Sequence, residues 1–120
     1  MNKWIIVLML FVMLIPAVSA QRYFRIIGKA SQRCLDVAMN GTANRTNVWI
    51  YEWNEINGGA AQLWRLEPAG GGYYRIIGKA SQKCLDVALN GTANQTNVWI
   101  YERNDINDGA AQLWRFEEAQ

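Results

Sequence analysis

The 120-residue sequence contains no histidine. That removes Ser-His-Asp and Cys-His nucleophilic machinery and the commonest metal ligand. Beyond the first twenty residues serine occurs only as Ser31 and Ser81, both in turn-like segments. The acids of one half, Asp36, Glu52, Glu55 and Glu67, form no convincing pair across a single bond, as glycoside hydrolysis requires. Nor do they alternate as the oxygen ligands of a calcium loop. The expectation is a non-enzyme with no catalytic residues, no metal and no cofactor. An excess of one charge is also missing: 12 Lys and Arg face 10 Asp and Glu, for a net charge of +2, and the basic residues are scattered. Such a balance gives no electrostatic reason to expect nucleic acid or anionic lipid as a partner.

Long apolar runs are absent after residue 20. The one such run, Trp4 to Val18, follows the short basic start Met1-Asn2-Lys3, is broken by Pro16 and closes on Val18-Ser19-Ala20. It is shorter than the roughly 20 residues of a membrane-spanning helix. A basic start, an apolar centre and small residues at the end read as a secretory signal peptide over residues 1–20, cleaved after Ala20. The mature chain, 21–120, is then expected outside the cytoplasm, extracellular or periplasmic, with no membrane span. Without Lys3 it carries 11 basic and 10 acidic residues.

What is present is one paragraph written twice. Tyr23–Pro68 and Tyr73–Glu118 align at an offset of 50 and differ at only nine of 46 positions. A repeat of this length signals units that cannot bury their apolar faces alone. The two repeats are taken as 23–69 and 73–120, joined by Gly70-Gly71-Gly72. Each reads as four short strands with no helical period, so the fold class is all-β. In the first repeat the strands are Tyr23–Ile27, Cys34–Val37, Val48–Trp53 and Gln62–Leu66. The two cysteines, Cys34 and Cys84, hold equivalent places. Equivalent points of a repeat usually lie too far apart for a disulfide, which favours buried thiols over a bridge.

Alternation in the third strand carries the most information. Val48, Ile50 and Glu52 point one way and suit a core; Trp49, Tyr51 and Trp53 point the other. One reading packs Trp49 and Tyr51 under a loop or at a subunit contact. The sharper one makes them a stacking platform for a ligand with apolar faces and polar rims. Sugars have that character, and carboxylates and amides bind their hydroxyls directionally. Asp36, Tyr51, Asn54, Asn57 and Gln62, with Asp86, Tyr101, Asn104, Asn107 and Gln112, surround the same strands and loops.

Cys34-Leu35-Asp36, an apolar–aromatic strand, a Gly/Asn-rich loop and Gln62-Leu63-Trp64, repeated at Cys84-Leu85-Asp86 and Gln112-Leu113-Trp114, resemble the ricin B-type lectin family. The resemblance covers nearly all of the mature chain. It implies a β-trefoil, built from three four-stranded units about a pseudo-threefold axis. It also implies a sugar-binding acid at Asp36 and Asp86 and a stacking aromatic at Tyr51 and Tyr101. Gln62 and Gln112 would orient the site, and Trp64 and Trp114 would sit in the core. Two positions depart from the family pattern. Ala61 and Ala111 stand where Asn often contacts sugar, and Trp49 and Trp99 stand at an often polar position, which puts a galactose-type pocket in doubt. Asn54 or Asn57 is expected to supply the missing amide, and the Trp to enlarge the platform. Candidate carbohydrate-binding residues are therefore Asp36, Trp49, Tyr51, Asn54, Asn57 and Gln62, with Asp86, Trp99, Tyr101, Asn104, Asn107 and Gln112.

The expected function is a secreted, non-catalytic lectin with one glycan site per repeat. The alternatives are a secreted trefoil-type inhibitor or interaction module without sugar binding, and a toxin component that delivers another protein. Two units do not close a trefoil, and an unclosed one exposes apolar surface and strand edges. Homo-oligomerisation is therefore expected, a trimer being the simplest closed answer. A two-bladed chain assembling into a six-bladed propeller has the same arithmetic. Asn40-Gly41-Thr42, Asn44-Arg45-Thr46 and their copies fit N-glycosylation acceptors. The differences Trp53/Arg103 and Gly58/Asp108 lead us to expect unequal sites, the first more apolar.

Overall fold

Why the same sequence takes slightly different structure in its two copies is visible in the strand pairing. The computed structural model describes residues 21–119; the signal peptide expected over 1–20 lies outside the described residues. Within them the chain is all-β, with short 3-10 turns between strands. Strand β1 (Cys34–Val37) pairs antiparallel with β2 (Val48–Tyr51), Cys34 opposite Tyr51 and Asp36 opposite Trp49. Strands β3 (Trp64–Gly70), β4 (Tyr73–Gly78), β5 (Cys84–Val87) and β6 (Val98–Tyr101) form a second antiparallel sheet in sequence order. The β5–β6 register repeats that of β1–β2, with Asp86 opposite Trp99.

The hairpin β3–β4 joins the two repeats. Its register runs from Trp64 opposite Gly78 to Gly70 opposite Tyr73, with an irregularity between Pro68 and Gly70. Gly70, Gly71 and Gly72 all take positive φ, the left-handed region that side-chain-bearing residues avoid.

Three expected strand boundaries shift. Tyr23–Ile27 is not a continuous strand: it makes only the isolated bridges Phe24–Trp64 and Ile27–Cys34, whereas the nearly identical Tyr73–Gly78 is a full strand. The difference is the partner, since β4 lies beside β3 and 23–27 has no such neighbour. The third strand ends at Tyr51 rather than Trp53. Gln62 closes a 3-10 turn, Ile56–Gln62, instead of opening the fourth strand. That turn needs its glycine: Gly59 has φ 75°, and a Cβ there would meet the Trp53 ring at 2.5 Å.

The core gathers Val37, Ala61, Trp64, Ile76, Leu85 and Ile100. Trp64 is fully buried, and its indole N–H donates to the Leu35 carbonyl at 3.0 Å, so burial leaves no orphan donor. Cys34 and Cys84 are buried free thiols, as the spacing argument favoured. Burial pushes the Cys84 thiol up, against the opposing pull of Arg75 and Arg103. The expected core face of the third strand holds only in part. Ile100 is fully buried, but Ile50 is 52% exposed, and Glu52 and Glu102 are exposed. The physical reason is again a neighbour. Across the repeat boundary the Ile100 amide donates to the Thr46 carbonyl at 3.0 Å, its carbonyl accepts from the Arg45 amide at 2.8 Å, and the Asn44 side-chain oxygen accepts from the Glu102 amide at 2.8 Å.

Candidate functional site

The β1–β2 register sets Asp36 directly across from Trp49 on one face of the ribbon. Asp36 is buried, and both its oxygens are engaged. The Trp49 indole N–H donates to Oδ1 and the Gln62 amide N–H donates to Oδ2, each at 2.8 Å. Gln62 also donates to the Glu52 carbonyl at 2.8 Å and accepts from the Asn54 amide at 3.1 Å. The second repeat rebuilds the network: Trp99 to Asp86 at 2.7 Å, Gln112 to Asp86 and to the Glu102 carbonyl at 2.9 Å each, and the Asn104 amide to Gln112 at 3.2 Å.

Both Nε2 donors of Gln62 and of Gln112 are thereby used, and both side chains are buried. They act by holding the aspartate and the loop entrance in place. Each carboxylate offers about four lone-pair positions, of which two are filled from within the protein. It can therefore accept from two further donors on its open side.

That open side is a cleft of about 270 Å³ in the first repeat, lined by Asp36, Trp49, Tyr51 and Asn54 together with Met39, Asn40, Ile56 and Ala61. In the second repeat the cleft is about 320 Å³, with Asp86, Trp99, Tyr101 and Asn104 beside Leu89, Asn90, Ile106 and Ala111. Trp49 and Tyr51 are 38% and 49% exposed, so neither ring is packed away under a loop. Their centroids lie 6.2 Å apart with planes 28° from parallel, and Trp99 and Tyr101 repeat this at 6.3 Å and 31°. The pair forms a shallow aromatic wall, with its indole edge fixed by the aspartate. Asn54 Oδ1 accepts from the Ile56 amide at 3.0 Å, which closes a local turn and leaves the Nδ2 donors for a ligand. Asn104 does the same with Ile106.

Asn57 and Asn107 lie elsewhere. They sit exposed at the positive-φ corner of the 3-10 turn and do not line either cleft. Trp53 and Arg103 also lie off the clefts: the Arg25 guanidinium stacks 3.5 Å from the Trp53 ring, and Arg103 pairs with Glu67 at 3.0 Å. The sites differ through another residue, Arg45 of the first repeat, which lines the second cleft with its guanidinium 5.5 Å from the Trp99 ring. Sequence reasoning missed Arg45, because that contact crosses the repeat boundary. It also missed Met39, Leu89, Asn40 and Asn90. Their signal was an apolar residue recurring in a polar loop, at φ 54° in both copies.

A model of the ricin-type β-trefoil lectin domain-like family matches residues 3–101. The chain belongs to that family. This lectin-like chain resembles the crystal structure of ThreeFoil, a designed 3-fold symmetric protein, at 34% identity and a TM-score of 0.70, covering 78% of this chain and 62% of that one. It also resembles 1,3Gal43A, an exo-β-1,3-galactanase from Clostridium thermocellum, at 26% identity and TM-score 0.70 over 81% of this chain. The hemolytic lectin CEL-III matches at 27% identity and TM-score 0.58 over 78% of this chain. The chain spans less than two thirds of ThreeFoil and 20% of each of the other two. No curated protein matches it. The fold is thus that of a β-trefoil protein, of which the two repeats form part. The family is typically non-catalytic. Among the described residues no helix is long and apolar enough to cross a membrane.

Proposed function

We propose that the chain is a secreted, non-catalytic carbohydrate-binding protein that engages glycans through one cleft per repeat. The observation that carries this reading is the cleft built twice: a carboxylate with two free acceptor positions beside an exposed indole–phenol wall. A pyranose offers a C–H face to such a wall and paired hydroxyls to such an acid. Asn54 and Asn104 add directed donors, and Asn40 and Asn90 further amides at the rim. Ala61 and Ala111 leave an apolar floor. Membership of a lectin-like family and likeness to a hemolytic lectin support the same reading. The galactanase likeness makes β-1,3-linked galactose oligomers a sensible first probe.

Two sites in one chain suit a multivalent ligand, because a weak second contact becomes intramolecular once the first has formed. Loss of either site should then cost more on a polysaccharide than on a short oligosaccharide.

The test is a glycan array run with the wild-type chain and with Tyr51→Ala combined with Tyr101→Ala. Both rings are at least partly exposed, so the double variant keeps the fold. Retention of a defined set of glycans, lost in the double variant with an unchanged melting profile, is the expected result. A wild-type chain that retains no glycan on a broad array, or a double variant that retains the same set, overturns the reading.

A further inference from the structure

We propose that the second cleft selects acidic sugars, pyranoses carrying a carboxylate or a sulfate, and that Arg45 of the first repeat is the residue that selects them. This deepens the carbohydrate reading of the clefts and rests on it. Its ground is one cation, delivered across the repeat boundary into a cleft whose other polar groups suit neutral hydroxyls.

The backbone fixes where Arg45 stands. Its amide donates to the Ile100 carbonyl at 2.8 Å, and the Ile100 amide donates to the neighbouring Thr46 carbonyl at 3.0 Å. Asn47 then bridges to Trp99. Ile100 lies between Trp99 and Tyr101, the two rings of the wall, so the loop is bonded to the strand that carries the wall. Arg45 takes φ 74°, a left-handed conformation that long side chains seldom adopt. These bonds hold it there, and its side chain reaches the cleft.

The charge is not taken up inside the chain. Arg65, Arg75 and Arg103 all pair with Glu67, and Arg115 pairs with Glu117, whereas Arg45 takes part in no ion pair among the described residues. Arg25 stacks down on Trp53 at 3.5 Å, but Arg45 stands 5.5 Å from the Trp99 ring. At that distance the ring attracts the charge without filling the planar fork of N–H donors, which fits a carboxylate or sulfate with two bonds at once.

The cleft carries an acid as well, and the two charges sit at different places on one indole. Asp86 lies at its N–H edge, accepting at 2.7 Å, and Arg45 stands over its ring. A neutral pyranose uses only the first of these. A uronic acid uses both: its C5 carboxylate lies across the ring from the C2 hydroxyl, so hydroxyls donate to Asp86 while the carboxylate accepts from Arg45. A 6-sulfate presents its oxygens on the same side, further from the ring. The reverse orientation sets anion against anion, so the bound sugar has one polarity.

The test titrates methyl glycosides of galactose, glucose and mannose, each as the neutral sugar, the uronate and the 6-sulfate. Binding is read at the Trp99 indole N–H resonance in wild type, Arg45→Gln and Arg45→Lys. Gln95 holds the equivalent position at the same φ of 74°, so the fold accommodates glutamine there. For at least one of these sugars an acidic form should bind wild type about tenfold or more tighter than the neutral form, the scale of a charge-assisted hydrogen-bonded pair. Arg45→Gln should bring that ratio close to one, and added salt should lower it too. Arg45→Lys, which keeps the charge without the fork, should restore it in part. A preference confined to the uronate, or to the sulfate, supports the proposal and says which anion is read. Neutral sugars bound as tightly as both acidic forms, or a preference that Arg45→Gln leaves intact, overturn it and leave the carbohydrate reading standing. A Trp99 resonance that moves with no sugar in any form overturns both.

Discussion

The two repeats are near copies, yet Ile100 is sealed and Ile50 lies open. Tyr73–Gly78 is a strand and Tyr23–Gly28 is not; Trp64 is fully buried and Trp114 only partly. Same residues, different neighbours: burial and strand continuity here are set by what the adjacent repeat contributes. The clefts behave oppositely. Asp36 and Asp86 keep the same partners at nearly the same distances, because every member of that network comes from within one repeat. The molecule therefore separates a self-sufficient aspartate network from a scaffold that each repeat completes for its neighbour.

The contrast predicts a large asymmetry in stability. Ile100→Ala should cost about 3 kcal/mol, the usual range for deleting a fully buried branched side chain, while Ile50→Ala in dilute solution should cost less than about 0.5 kcal/mol. Urea unfolding of the two variants checks this, and equal costs would break the comparison. The clefts should show symmetry instead. Gln62→Ala and Gln112→Ala each strip the aspartate of a donor and leave a backbone amide unpaired, so each should cost about 1–3 kcal/mol. Unfolding midpoints that differ clearly between the two would show that one network depends on the repeat boundary after all.

A smaller effect separates the sites. Arg45→Ala should change affinity at the second cleft by roughly two- to fivefold, the scale of an exposed cation over an aromatic face, and leave the first unchanged. Titrations in Tyr101→Ala and Tyr51→Ala backgrounds isolate each cleft. The smallest effect concerns pH. The folded state holds the Cys84 proton more tightly than the unfolded chain, whose thiol titrates near 9.0. Its contribution to stability is intact below that pH and declines above it. Comparing thermal melts of wild type and Cys84→Ala between pH 7 and 10 should show a shallower decline in the variant.

Much of this was legible in the sequence because the repeat doubles every signal. The all-β class, the strands around Cys34 and Val48, the free buried cysteines and the lectin resemblance all followed from spacing and residue type. The cleft positions of Asp36, Trp49, Tyr51 and Asn54 lie where alternation and the loop pattern suggested. The misses share a cause. Period-two alternation put Ile50 inside, but alternation reports only which face of a strand is apolar, not whether anything covers it. Arg45 could not be assigned because its partner Trp99 lies in the other repeat. Asn57 was grouped by its residue type, whereas it sits at a left-handed corner and does not line the cleft that its neighbour Ile56 lines.

The central claim is that the indole–aspartate walls are where sugar sits. The direct measurement is to follow the indole N–H resonances of the four described tryptophans outside Trp53 while titrating a glycan. The account predicts that Trp49 and Trp99, whose N–H groups rest on Asp36 and Asp86, shift with the ligand, while Trp64 and Trp114, bonded to the Leu35 and Leu85 carbonyls, hold still. Glycan binding that leaves Trp49 and Trp99 unmoved, or no shift with any glycan tried, would contradict it.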